Sequence, residues 1–193
     1  MNEPVMDPRR TALLLMDFQR TIVERAAPDP AGLLDRTARL LAAARAAALR
    51  VAFVGVGFRD GYPEVSARNQ SFAAVRTTGA FLSAAPGSEI HPAVAPASGE
   101  VVVTKHRVSA FAGTDLDMIL RANDIDTLVL TGIATSGVVL STTRHAADAD
   151  YRLVIVRDCC ADADEEVHRV LMEKIFPRQA TVTTAEEWMK SIA

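Results

Sequence analysis

The stretch TLVLTGIATSGVVLSTTRHAADADY occupies Thr127–Tyr151. It reads as a buried strand, a tight turn and then a helix. In an α/β enzyme such a turn is where a nucleophile is presented. Here the turn offers Thr135, Ser136 and Gly137, and then two valines, Val138 and Val139. A platform suited to a nucleophile carries a side chain that cannot attack.

Outward from this stretch, strands and helices alternate. TALLLMDF (Thr11–Phe18) is a continuous apolar run ending near an acid, as in a strand covered on both faces. Ala31–Arg50 is alanine-rich with helical apolar spacing. RVAFVGVGF (Arg50–Phe58) gives a second strand, followed by a loop, Arg59–Ser71, punctuated by Gly61 and Pro63. GEVVVTK (Gly99–Lys105) gives a third. GTDLDMILRAND (Gly113–Asp124) is read as a helix, with Thr114 as N-cap and Asp117 three residues later. Asp126–Ile133 is the fourth strand, Ser136–Asp150 the next helix, and YRLVIVRD (Tyr151–Asp158) the fifth strand. A helix over Glu165–Lys174, a sixth strand over Gln179–Thr184 and a short helix containing Trp188 complete the chain.

Such alternation implies parallel pairing through right-handed crossovers. The expected fold is α/β: a three-layer, Rossmann-like, doubly wound sheet of six parallel strands with helices on both faces. All of residues 1–193 are expected to form one domain.

Composition narrows the function. The 193 residues are 49% apolar and 23% charged, so the chain is globular. A net charge of -3, no basic block and 5% aromatics argue against a nucleic-acid partner. The apolar runs are too short to span a membrane. MNEPVMDPRR lacks an apolar signal core, and a cytoplasmic location is expected. The two cysteines, Cys159 and Cys160, are adjacent and following the fifth strand; they read as reduced, buried structural thiols rather than a disulfide. No Asp-x-His pair occurs and the four histidines are scattered, so no metal is expected. GVG at Gly55–Gly57 lies inside a strand and lacks a third glycine, so no dinucleotide cofactor is expected either.

In doubly wound sheets ligands bind at the carboxyl ends of the strands. Asp17 ends the first strand; partial desolvation there raises a carboxyl pKa toward the range useful for proton transfer. Lys105 ends the third, where an ammonium would pull that pKa back and orient a substrate oxygen. Gly132, Ala134 and Gly137 allow backbone amides close to a ligand. Arg59, past the second strand, could fork onto a substrate carboxylate. Phe18, Phe58 and Phe111 could wall an apolar pocket.

These elements, in this order, resemble the isochorismatase-like hydrolase superfamily, also called the cysteine hydrolases. The resemblance runs from ALLLMDFQ through TKHRVSAFAGTDLDMIL and the 127–151 stretch to VRDCCADADEEVH. It implies an Asp–Lys–Cys triad, with Asp17 and Lys105 in the first two places. It implies a non-proline cis peptide at Ile133–Ala134, and a substrate-binding surface that takes in Gln19, Ile133, Ala134, Thr135, Ser136 and Gly137. It also implies a homodimer or homotetramer. The family cysteine falls six residues after the glycine of GIAT, at Val138. Acyl-enzyme chemistry through that position is therefore closed.

Some members of the superfamily hydrolyse a vinyl ether without a cysteine, by protonating the enol carbon. Asp17 as acid and Lys105 as partner suit that route, acting on a small carboxylated molecule. The wording GIATSG is nearer the amidase members, so the resemblance does not name the substrate. The competing expectation is a relative that has lost the nucleophile and binds a ligand or a protein without catalysis.

Overall fold

The computed structural model describes residues 7–192. Six strands run Thr11–Met16 (β1), Arg50–Val56 (β2), Val101–Lys105 (β3), Thr127–Ile133 (β4), Arg152–Ala161 (β5) and Thr181–Thr183 (β6). Every neighbouring pair is parallel, in the order β3-β2-β1-β4-β5-β6. The chain winds one way from β1 to β3 and the other way from β4 to β6. The topological switch point therefore lies between β1 and β4, where Met16 faces Gly132.

The helices are Arg20–Ala26 (α1), Pro30–Ala46 (α2), Gln70–Thr78 (α3), Leu116–Ala122 (α4), Leu140–Asp148 (α5), Glu165–Val170 (α6) and Ala185–Ser191 (α7). β1 is buried at all six positions. Successive side chains of a strand point to opposite faces. Ala12, Leu14 and Met16 enter a core with Leu116 and Leu120 of α4 and Ala146 of α5. Leu13 and Leu15 enter a second core with Leu33, Leu40 and Leu41 of α2 and Trp188 of α7. Helices thus cover both faces. Among the described residues no helix is long and apolar enough to cross a membrane.

Several elements differ from the sequence reading. The helix expected over Ala31–Arg50 stops at Ala46, and Ala48 takes a left-handed φ of 56° before β2 begins. α4 starts at Leu116, and its N-cap is Asp115, whose side chain makes no capping bond. Thr114 Oγ1 instead accepts the Leu116 N–H at 3.3 Å and donates to Ala110 O at 2.7 Å. The helix expected from Ser136 begins as a wide π-type turn, Thr135–Val139, with Gly137 at φ -97° and ψ -105°. Likewise the expected helix over Glu165–Lys174 is α only to Val170, then a π-type turn over Leu171–Ile175. β5 does not end at Asp158. Leu130 faces Ile155 but Gly132 faces Cys160, so β5 bulges and continues to Ala161. Cys159 and Cys160 therefore lie inside β5, on opposite faces, one in each core.

Candidate active site

Asp17 is the first residue past β1. Its φ of 60° is unusual for a residue with a side chain, and its N–H donates to Val54 O at 2.7 Å. That left-handed step turns the chain off the line of the strand. Strained backbone of this kind clusters at functional sites, because only a surrounding structure that fixes it can sustain it.

Lys105 ends β3, two strands away, a span of roughly 9–10 Å at the usual strand spacing. The two side chains close that span over β2, and Lys105 Nζ lies 2.9 Å from Asp17 Oδ2. Nζ also donates to Arg107 O at 3.2 Å. The pair is buried, with Asp17 5% and Lys105 3% exposed. Among the described residues Asp17 Oδ1 has no hydrogen-bond partner. Burial pushes the Asp17 carboxyl above its usual value of 3.8, and the neighbouring ammonium pulls it partly back.

The turn after β4 lies next to the end of β1, where Met16 pairs with Gly132. The Ile133–Ala134 peptide is cis. A Cβ built on Gly132 would stand 2.8 Å from Met16 O and 3.3 Å from Val138 Cγ1. The absence of a side chain at Gly132 is what lets the turn fold back over the end of β1. Val138 is buried and packs among core residues that include Met16.

The other candidate residues are placed differently. Gln19 is consumed in structure: its side chain accepts the Val56 N–H at 2.8 Å and donates to Val56 O at 3.0 Å and Ser88 O at 2.6 Å. Phe18 is buried in the core that also takes in the inner face of α2. Phe58 meets Tyr62, Phe72 and His106 in a small apolar cluster. Phe111 stacks on His145 with centroids 4.7 Å apart. The Arg59 side chain is 71% exposed and paired with Glu64, so it does not join Asp17 and Lys105.

Two residues without an assigned role in the sequence reading touch the turn. Asp162, just past β5, accepts the Ser136 N–H at 2.7 Å. His168 Nδ1, on α6, lies 2.8 Å from Thr135 Oγ1. VRDCCADADEEVH carried the resemblance, but only the fold shows that its Asp and His reach the turn. The thiols do not reach it as nucleophiles. Burial pushes Cys159 up to about 12 and raises Cys160 as well, which holds both protonated. Among the described residues no three His, Cys, Asp or Glu side chains gather as metal ligands.

Fold and site together define a doubly wound α/β protein with a buried acid–ammonium pair at the carboxyl ends of β1 and β3. The chain belongs to the isochorismatase family: the isochorismatase domain model matches residues 11–187. It is similar over 193 residues, at 33% identity, to the uncharacterized isochorismatase family protein YwoC of Bacillus subtilis, covering 100% of this chain and 99% of that one. It is 28% identical over 188 residues to a maleamate amidohydrolase of Pseudomonas putida, covering 95% of this chain and 87% of the relative. A solved cysteine hydrolase from Pseudomonas syringae pv. phaseolicola superposes with a TM-score of 0.88 at 27% identity, covering 100% of this chain and 98% of that one.

Proposed function

We propose that this isochorismatase-family hydrolase acts on a small, carboxylated metabolite by proton donation from Asp17, with no thiol intermediate. The observation that carries the reading is the division of labour within one carboxyl group. Oδ2 is held by Lys105, while Oδ1 is buried and unpartnered. Among the described residues a proton on Oδ1 has no acceptor to compete for it, and burial favours its presence.

With a vinyl ether, protonated Asp17 delivers its proton to the enol carbon. The C=C pair forms the new C–H bond and the ether oxygen stabilises the resulting oxocarbenium cation. The Asp17 carboxylate left behind, next to that cation, stabilises it electrostatically. Water adds to the cationic carbon and returns a proton to Asp17. The hemiketal then collapses to a carbonyl and an alcohol, so the net reaction consumes one water. Lys105 holds Asp17 in place and offers positive charge to a substrate carboxylate. Val138 fits this route because no step needs a nucleophile at its position.

A second reading has its own support. Asp17, Lys105 and Val138 are all at most 5% exposed, so the site as it stands is packed rather than open. That packing favours a relative that binds without catalysis. Screening the wild-type chain and Asp17→Asn against carboxylated vinyl ethers and small carboxylated amides separates the two. Vinyl-ether turnover lost in Asp17→Asn supports the first reading. Binding of such molecules by calorimetry with no turnover of either class supports the second.

A further inference from the structure

The turn that packs beside the end of β1 is held by side chains that the proposed chemistry does not use. Asp162 is buried, at 7% exposure. Its Oδ2 accepts the Ser136 N–H at 2.7 Å and its Oδ1 accepts the Asp164 N–H at 3.3 Å. A carboxylate that accepts two backbone amide protons makes charge-assisted bonds, stronger than neutral ones. One residue earlier in the turn, Thr135 is fully buried and its hydroxyl pairs with His168 Nδ1 at 2.8 Å. Two adjacent turn residues are thus gripped from two elements, the end of β5 and α6.

The turn has need of such a grip. Gly137 lies outside the helical region, and the bonds from Gly137 N and Val139 N to Ala134 O are 3.1 and 3.4 Å long. Its next residue, Val138, rests over Gly132, which itself lies against Met16 O beside Asp17. A contiguous line of contacts therefore runs from Asp162 and His168 through the turn to the end of β1.

We propose that Asp162 and His168 are positioning residues that press the Thr135–Val139 turn onto the end of β1 and so keep water away from Asp17. The inference rests on the reading of Asp17 as proton donor. A dry Asp17 retains its proton more readily, so the clamp acts on the chemistry through Asp17 and touches no substrate. A cavity of about 320 Å³ opens beside the clamp, lined by Asp162, His168, Arg36 and Glu165 among others. It gives water a route to the turn once a clamp bond is cut.

The test uses Asp162→Ala and Thr135→Val, with Asp162→Asn and Thr135→Ser as conservative partners. Asparagine keeps an oxygen for the Ser136 N–H, and serine keeps the hydroxyl for His168. Three quantities are read: amide hydrogen exchange across residues 135–139, the titration of the Asp17 carboxyl carbon by ¹³C NMR, and kcat and KM separately. In Asp162→Ala and Thr135→Val the turn amides should exchange roughly tenfold or more faster. The Asp17 midpoint should fall toward 3.8, and kcat should drop with KM nearly unchanged. The conservative variants should restore most of each.

An Asp17 midpoint and turn exchange unchanged in Asp162→Ala overturn the proposal. Should Asp162→Ala fail to fold, the same readings on Thr135→Val decide. The midpoint and exchange need no substrate. A wild-type chain that turns over nothing, with a midpoint that still moves in the variants, refutes the catalytic reading and supports the clamp. Turnover with an unmoved midpoint does the reverse.

Discussion

Replacing Lys105 by methionine removes one half of a buried ion pair and leaves the other half in place. The side chains of Lys105 and Asp17 are 3% and 7% exposed and their charged atoms are 2.9 Å apart. At an effective dielectric constant of about 20 their gross attraction is about 6 kcal/mol. Desolvation of both groups offsets much of this, yet removing only one partner of such a pair typically costs about 3–5 kcal/mol. Asp17 has one escape, which is to take up a proton. Burial already raises its pKa, and losing the ammonium raises it further. A carboxyl whose folded pKa lies above its unfolded value binds more protons in the folded state across that interval. Stability then falls as pH rises through the interval. The deficit of Lys105→Met should therefore be modest near about pH 5 and reach about 3–5 kcal/mol near about pH 8. Urea denaturation at both pH values, with unchanged m-values, measures it. The double variant Asp17→Asn/Lys105→Met should recover part of the loss at the higher pH, since no unpaired charge remains. A deficit equal at the two pH values, or one below about 1 kcal/mol at the higher, would refute the reasoning.

The remaining expectations are simpler. Asp17→Asn should lower turnover by about 10²–10⁴, because an amide cannot donate the proton, while alkylation of the cysteines in the folded protein leaves turnover intact. The rate of the wild-type chain should fall as pH rises through the elevated pKa of Asp17, since only the protonated carboxyl is active; a rate rising over that interval contradicts it. Gly132→Ala places a methyl 2.8 Å from Met16 O, a backbone atom in the middle of the sheet, and should cost about 1–3 kcal/mol in urea denaturation. Arg59→Ala should cost about 1–3 kcal/mol in urea denaturation, because it strips the ion-pair partner from a Glu64 carboxylate whose side chain is only 11% exposed.

The sheet was legible in the sequence because its strands are apolar on both faces. β1 and β4 are buried throughout and could be read from composition alone. α1 and α3 leave little signal in the sequence, since each buries a single side chain, Val23 and Phe72 respectively. Helices with so thin an apolar face leave little periodicity to find. An apolar run that stops at a charged residue places the end of β5 at Asp158. In the structure Asp158 sits in the bulge, where its carboxylate accepts the Ala185 N–H and its carbonyl accepts from Arg36. Asp17 and Lys105 are legible in the sequence as a carboxylate and an ammonium at strand ends, and the structure brings them to 2.9 Å across β2. Asp162 and His168 are not legible, because what matters about them is contact with a turn 26 and 33 residues earlier. Sequence spacing carries no trace of such contacts.

Proton transfer to carbon is the step that separates this account from thiol chemistry. Hydrolysis of a carboxylated vinyl ether in D₂O, followed by NMR of the product, observes it directly. The account predicts one deuteron bonded to the former vinyl carbon, delivered to a single face by the wild-type chain and not by Asp17→Asn. Turnover that leaves that carbon unlabelled, or an acyl adduct recovered by mass spectrometry on Cys159 or Cys160, would contradict it.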